Sequence, residues 1–231
     1  MEVKNSNSLE IKEKTDSPLK IQIFLRVLLY ILGIIIIVTI ALAWWKYPET
    51  YEFFQENVSN LGGNLSDQGY DNSTSSLIMM IGFSVIAAII FAISIIYFVT
   101  RRLRFNYVKA ILCLALAAGA AGIAVPLDHA TLNEFHYIGA ALFMIIFGAF
   151  NFVSQGLRYY RKHKFFPEKK NVDFWIDFVF IWIVFFAFVF YFVIFLLEYY
   201  TPTPLIPSPP VQKAVLIVDL IAIALFNIND M

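Results

Sequence analysis

The chain has 231 residues, of which 60% are hydrophobic and only 15% are charged, and its 17 basic residues balance its 17 acidic ones. Soluble domains contain roughly 45–50% apolar and 25% charged residues, so this composition excludes a soluble enzyme and a disordered chain. The neutral balance of charge also argues against nucleic acid as a partner.

The apolar residues are concentrated in six long segments that are nearly free of charge. A helix needs about 20 such residues to cross the hydrocarbon core of a bilayer. The sequence therefore predicts an all-α, polytopic membrane protein with six transmembrane helices over residues 21–228, after a polar tail over residues 1–20. In chain order, the predicted spans are Ile21 to Trp45, Ser76 to Val99, Val108 to Val125, His136 to Leu157, Phe174 to Leu197 and Val211 to Ile228.

The basic residues predict the orientation of these spans, because Lys and Arg accumulate in the cytoplasmic loops of membrane proteins. If both termini are cytoplasmic, the opposite side of the membrane receives only Lys46 and Lys213. All the other basic residues then lie on the cytoplasmic side, including the clusters that begin at Arg101 and Arg161. We interpret these clusters as anchors to the anionic leaflet, the alternative being a specific site for lipid or a partner.

The loop between the first two spans, residues 46–75, is predicted to be external and contains three N-glycosylation sequons. The acceptor residues are Asn57, Asn64 and Asn72. Such sequons are used only on the outer or lumenal side of a membrane, which agrees with the orientation that the basic residues predict. The sequence therefore predicts a glycoprotein.

Small residues predict which spans pack closely, since membrane helices associate through small side chains. The third span contains small residues on several faces, among them Gly119 and Gly122, and is predicted to be central, with the second and fourth spans beside it. Thr131 and Glu134 fit a capping box at the start of the fourth span. The fifth span is rich in Phe and is predicted to face lipid, a partner subunit or a second copy of the chain.

Two polar residues inside predicted spans are candidates for function, because ionisable groups in a membrane are costly. Asp219 lies about halfway along the sixth span, and Asn151 in the fourth span is its best partner by depth. This pair would suit a small transporter with an intramembrane carboxylate.

A second group of candidates lies at the predicted external ends of the spans. Asp128, His129 and His136 occur in the turn between the third and fourth spans, and the first loop contributes Ser59. A His beside carboxylates and a hydroxyl could perform acid–base chemistry on a substrate at the interface. In the alternative interpretation, these side chains satisfy backbone groups of the loops. The same His and carboxylates could also hold a divalent metal. Because their spacing fits no zinc signature and no cofactor motif occurs, neither a metal nor a cofactor is predicted.

Short motifs at these positions resemble a six-helix bacterial and archaeal membrane family, catalogued as domain of unknown function 998. The first motif is a Pro followed by Ser-Asp-Leu-Gly in the external loop, matched here by Pro48 and by Ser59 to Gly62. The second is Pro-x-Asp before a His, matched by Pro126, Asp128 and His136.

The resemblance implies a six-helix bundle with a polar site at its external face. The chain departs from the family at Asn60, where the family has Asp, so a role for that carboxylate does not carry over. The plan is also distantly similar to Frag/DRAM-like proteins, which are associated with remodelling of lipid anchors and with endolysosomal membranes.

Three functions are compatible with these observations. The main hypothesis is an integral, multi-pass membrane protein that binds or organises lipid or a partner subunit through its external polar loops. The alternatives are a membrane-embedded hydrolase or transferase acting on a lipid or lipid-linked group, and a small transporter. A bacterial or archaeal cell membrane is preferred over an endolysosomal one.

Overall fold

The computed structural model describes residues 4–101, 103, 105–165, 172–201 and 206–225. The described residues form six α-helices and no strand, which confirms the all-α class. The helices are α1 (Lys4–Lys46), α2 (Ser73–Val99), α3 (Asn106–Ile123), α4 (Asn133–Phe165), α5 (Val172–Tyr200) and α6 (Ser208–Ala224), and a short 3₁₀ helix (Val58–Gly62) lies between α1 and α2.

Five of these helices are long and apolar enough to cross a membrane, which supports a multi-pass membrane protein. They are the segments Leu19–Lys46, Ser73–Val99, Asn106–Ile123, Asn133–Tyr160 and Phe174–Tyr200. The sixth predicted span is not among them. Helix α6 has 17 residues, which corresponds to about 25 Å at 1.5 Å per residue. The last residues of that predicted span, 226–228, lie outside the described residues.

The helices run alternately up and down, so the bundle has two ends of different character. We call the end at which α1, α3 and α5 finish the loop end, because the 26-residue connection between α1 and α2 lies there. We call the other end the basic end, because Arg101 follows α2 there and Arg158 lies in the last part of α4.

Helix α4, rather than α3, is the central helix. It packs against α3, α5 and α6, whereas α3 packs mainly against α2 and α4. The expectation that the third span is central was therefore wrong. Its small residues allow close approach on two sides, but its other faces remain open, and Ile111 and Leu114 are exposed there.

Glycines hold α3 and α4 at backbone contact. A Cβ atom at Gly139 would lie 2.5 Å from the Cα atom of Gly122, and one at Gly119 would lie 2.6 Å from the backbone nitrogen of Phe143. Only glycine leaves enough room at these points. The prediction that Gly119 and Gly122 lie in a close helix contact is confirmed.

A ladder of polar side chains on α4 holds α6 in place. Asn151 Nδ2 donates to Asp219 Oδ1 at 2.9 Å, and Gln155 Nε2 donates to the Ala222 carbonyl at 2.9 Å. One turn further, Arg158 donates to the Leu225 carbonyl at 2.7 Å. The three donors recur at helical spacing, so they share one face of α4.

The outermost helix is α5. Only 17% of its most apolar stretch is buried, and its Phe and Trp rings contact one another along its length, as in the edge-to-face contact of 5.6 Å between Trp182 and Phe185. Gly148 of α4 accommodates Phe188 of α5, because a Cβ atom there would lie 2.3 Å from the Phe188 Cβ atom. An apolar, exposed helix of this kind is compatible with each of the three expectations for the fifth span, namely lipid, a partner subunit or a second copy of the chain.

Two Gly→Ala variants of α4 test the close contact with α3. We expect Gly139→Ala to destabilise the bundle by about 1–3 kcal/mol, because the added methyl group overlaps Gly122. Gly156→Ala is the matched control, since a Cβ atom at Gly156 meets nothing within 4 Å and alanine favours helix. Thermal unfolding in detergent should give a lower midpoint for Gly139→Ala alone. Equal midpoints for the two variants would contradict the packing described here.

Candidate functional site

The connection between α1 and α2 folds back onto the loop end and is held there by the start of α2. Asn72 Nδ2 donates to the Gly63 carbonyl at 2.8 Å. The hydroxyls of Ser75 and Ser76 donate to the carbonyls of Leu61 and Gly62 at 2.8 and 2.9 Å. Buried carbonyls at the end of a short 3₁₀ helix need such donors, because an unpaired carbonyl is costly away from water.

Asp128 also holds this connection in place. Its Oδ1 atom accepts hydrogen bonds from the backbone nitrogen and the Nδ2 atom of Asn64, both at 2.9 Å, and its Oδ2 atom accepts one from the Leu65 nitrogen at 3.0 Å. A carboxylate with three N–H donors is already well satisfied. Asp128, predicted as a catalytic candidate, therefore has the alternative role, in which it satisfies loop backbone groups.

His136 lies near Asp128, but its side chain bonds to the chain just after α3 and not to the connection between α1 and α2. Its side chain is fully buried, and Nδ1 is 2.5 Å from the Val125 carbonyl. Because a carbonyl only accepts hydrogen bonds, Nδ1 carries the proton and donates it. The loop passes close to the ring, since a Cβ atom at Gly62 would lie 3.3 Å from Cε1.

His129 is separate from His136 and exposed. Its Nδ1 atom accepts a hydrogen bond from the Thr131 nitrogen at 3.4 Å. Helix α4 begins at Asn133, one residue later than a capping box with Thr131 requires, and Asn133 Oδ1 accepts from the Glu134 nitrogen at 3.0 Å. The predicted capping box is therefore replaced by a local contact of Asn133.

The four predicted catalytic residues thus have different partners. Asp128 binds the loop backbone, His136 binds Val125, His129 binds Thr131, and Ser59 lines a cavity at the loop end. In the part of the chain that the structure describes, no three His, Cys, Asp or Glu side chains are close enough to hold a metal ion.

The cavity beside Ser59 has a volume of about 330 Å³ and lies at the loop end, between the 3₁₀ helix, α4, α5 and α6. Its lining combines polar and aromatic side chains, with Ile138 and Ala140 completing it. The polar residues are Asn57, Ser59, Glu134, Glu198, Ser208 and Gln212. The aromatic residues are Tyr137, Tyr191, Phe195 and Tyr199.

Hydrogen bonds between distant segments build the polar wall of the cavity. Gln212 Oε1 accepts from the Val58 nitrogen at 2.8 Å, which ties α6 to the 3₁₀ helix. The Ser208 hydroxyl donates to Glu198 Oε1 at 3.0 Å, which ties α6 to α5. Among the described residues, the Ser59 hydroxyl takes part in no hydrogen bond, so it is available to a ligand.

A second, smaller cavity lies beside the first. It has a volume of about 30 Å³ and shares Ser59, Ala140 and Gln212 with the larger cavity. This is enough room for about one water molecule.

Lys213 follows Gln212 but is directed away from this cavity. It is 4% exposed, its Nζ atom donates to the Glu56 carbonyl, and it lies 4.8 Å from the centre of the Phe53 ring. Lys213 therefore lies at the loop end, where the connection between α1 and α2 folds over it. Burial raises the pKa of Tyr51, whose neutral hydroxyl donates to the same Glu56 carbonyl at 3.0 Å.

The three sequon asparagines differ in burial and in their hydrogen bonds. Asn72 is 1% exposed and uses its Nδ2 atom to hold the loop, so the folded protein has no room for a glycan there. Asn64 is exposed but donates from Nδ2 to Asp128. Asn57 is half-buried at the edge of the cavity.

Asp219 and Asn151 are packed between α4 and α6. They are 1% and 0% exposed, and neither lines the cavity at the loop end. Their contact with each other belongs to the ladder that holds α6. Among the described residues, Asp219 is bonded to Asn151 and almost fully buried, which is the packed arrangement that argues against the transporter hypothesis.

Sequence reasoning did not find Glu198, Tyr191 or Gln212, which complete the cavity. Each comes from a different part of α5 or α6 and matches no motif. Of these three residues, only Gln212 could have been recognised from the sequence, because an amide inside a predicted span needs a hydrogen-bonding partner.

Comparison with protein-family models, with curated proteins and with solved structures finds no match for this chain. The resemblance to the six-helix family therefore stays an expectation.

Asp128→Asn tests whether the Asp128 carboxylate holds the connection between α1 and α2 in place. The new amide group would face an N–H donor in place of one acceptor oxygen, and we expect a loss of about 1–3 kcal/mol with faster hydrogen exchange over residues 58–72. Asp67→Asn is the matched control, because the exposed Asp67 carboxylate accepts only from the half-buried Asn60 side chain, at 3.2 Å. Unchanged exchange in Asp128→Asn would show that this carboxylate does not hold the loop.

The sequons can be tested by expression in a host that glycosylates. We expect the folded protein to carry no glycan on Asn72, because its side-chain amide is buried and bonded to two carbonyls. Mass spectrometry of peptides from the folded fraction would measure this. A glycopeptide that contains Asn72 would contradict the burial of this amide.

Proposed function

We propose that the protein is a six-span membrane protein that binds a membrane lipid at its loop end, with the lipid headgroup in the 330 Å³ cavity. The mixed lining of that cavity carries the proposal. Polar groups of the 3₁₀ helix and α6 face aromatic groups of α4 and α5, which is the combination that an amphiphile needs. The cavity volume also lies within the range of about 300–1,000 Å³ that is usual for ligand sites.

The position of the opening supports a ligand that enters from the membrane. Tyr137 and Ile138 on α4 are 55% and 60% exposed, and Tyr199 on α5 is 74% exposed. These residues flank the cavity where the ends of two apolar helices meet the polar connections. Tyrosine is enriched at this level of membrane proteins, where lipid headgroups begin.

The proposal includes α6 as a short sixth span and both termini on the cytoplasmic side. Packing of α6 against α1, α4 and α5 supports the sixth span, because it places the helix within the bundle. Arg101 and Arg158 at the basic end support the orientation, by the preference of basic residues for the cytoplasm. The loop end and its cavity then face outward, and a bacterial or archaeal cell membrane is the preferred location.

The surface of α5 supports contact with lipid as well. An apolar groove of about 860 Å³ runs between α5 and α6, lined by Phe186, Phe190 and Val218 among others. In this proposal, hydrocarbon chains of the bilayer fill the groove.

Catalysis is not part of the proposal. The Ser59 hydroxyl lies in the cavity, but Asp128 and His136 are bonded to backbone groups elsewhere. No described contact joins them to Ser59 as a base or its orienting partner.

Ile138→Trp tests whether the cavity binds lipid. The larger side chain should block the opening, so lipid that co-purifies with the unmodified chain in mild detergent should be lost. Native mass spectrometry of the purified protein measures the bound lipid directly.

Ile111→Trp is the matched control, because Ile111 on α3 is 64% exposed and lies away from the cavity. It should retain lipid to the same extent as the unmodified chain. If Ile138→Trp also retains it, or if the unmodified chain carries none, the proposed site is wrong.

A further inference from the structure

The charged residues that line the cavity are all acidic. Glu134 and Glu198 are its charged residues, and no Lys, Arg or His occurs among the described residues that line it. The nearest basic residue along α6, Lys213, is enclosed by Glu56, Tyr51 and Phe53. The lining therefore attracts cations and offers an anion no charged partner.

The two carboxylates keep capacity for a ligand. Glu198 Oε1 accepts one hydrogen bond from Ser208, and this contact holds the carboxylate at the cavity. Within the described part of the chain, no hydrogen bond reaches the Glu134 carboxylate. An ionised carboxylate has about four acceptor positions, so both groups can still accept hydrogen bonds or balance a positive charge.

Aromatic rings make up much of the remaining lining. Tyr137 on α4 and Tyr191, Phe195 and Tyr199 on α5 contribute rings from two sides of the cavity. Aromatic faces attract ammonium groups, and cages of such rings recognise quaternary ammonium ligands. Aromatic rings together with carboxylates therefore favour one chemical class.

We infer that the lipid bound in this cavity carries an ammonium headgroup, held by Glu198 and Glu134 and by the surrounding tyrosine rings. The inference rests on the proposed function, because it assigns the headgroup of the lipid proposed above. An anionic headgroup would place its charge beside two carboxylates without a cationic partner, which is unfavourable in a partly dry site. An uncharged sugar headgroup would use the hydroxyl and amide groups but not the charge.

Competition among lipids that share the same acyl chains provides the test. The purified chain is equilibrated with equal amounts of phosphatidylcholine, phosphatidylglycerol and a glycosyl diacylglycerol, and native mass spectrometry measures what stays bound. We expect about tenfold more phosphatidylcholine than either other lipid to be retained. This ratio is what one contact of an ammonium group with aromatic rings and a carboxylate would give. Glu198→Gln should reduce this preference to less than about threefold, because the carboxylate charge is lost.

Two further variants guard against a general effect on folding. Glu52→Gln is the matched control, since Glu52 is an exposed carboxylate at the loop end that does not line the cavity, and it should keep the full preference. Tyr199→Leu changes a 74% exposed side chain and should weaken the preference while the thermal midpoint stays the same. Free choline in excess should fail to displace the lipid, and displacement would mean that the site takes the soluble cation instead.

The outcomes separate the inference from the proposed function. Equal retention of the three lipids, all lost in Ile138→Trp, would overturn the ammonium assignment and leave lipid binding in place. A preference for the sugar or the anionic lipid would overturn it in the same way. Retention of no lipid at all would overturn both.

Discussion

The contact of Asp128 with the backbone of Asn64 and Leu65 is the interaction on which the candidate site depends. The cavity has no wall on that side without the connection between α1 and α2, which contributes Asn57 and Ser59. That connection buries Tyr47, Tyr51 and Leu61 in the core, but it has little regular structure. Polar groups also hold it in place, and the Asp128 carboxylate accepts three N–H donors from it.

Polar residues within the bundle are likewise used for construction. Asn151, Gln155 and Arg158 are bonded to α6 along one face of α4, so Asp219 is one step of a ladder. In hydrocarbon, apolar contact alone gives helices little reason to associate, and hydrogen bonds or close glycine contacts supply it. The bundle uses glycines between α3 and α4 and hydrogen bonds between α4 and α6. The buried Asp219 carboxylate is thus explained by packing.

Much of the fold could be predicted, and little of the site. The ends of the second and third predicted spans, for example, lie within three residues of Ser73–Val99 and Asn106–Ile123, because hydropathy is a local property of the chain. Asp128 and His136 were recognised as unusual, but their partners could not be inferred. Whether a carboxylate binds loop amides or a substrate depends on which loop lies opposite, and that is not encoded in any short motif.

The sequence by itself determined the all-α class and the apolar helices, since 60% apolar residues in long uncharged runs are typical of membrane-spanning helices. It also determined that glycines of the third span meet a neighbour, because only glycine permits backbone contact. The tertiary structure alone decided that α4 is central, that Lys213 is enclosed, and that Ser59, Glu198 and Gln212 share one cavity. These residues are far apart along the chain, so their meeting depends on how three helices and a loop pack, and no local pattern records it.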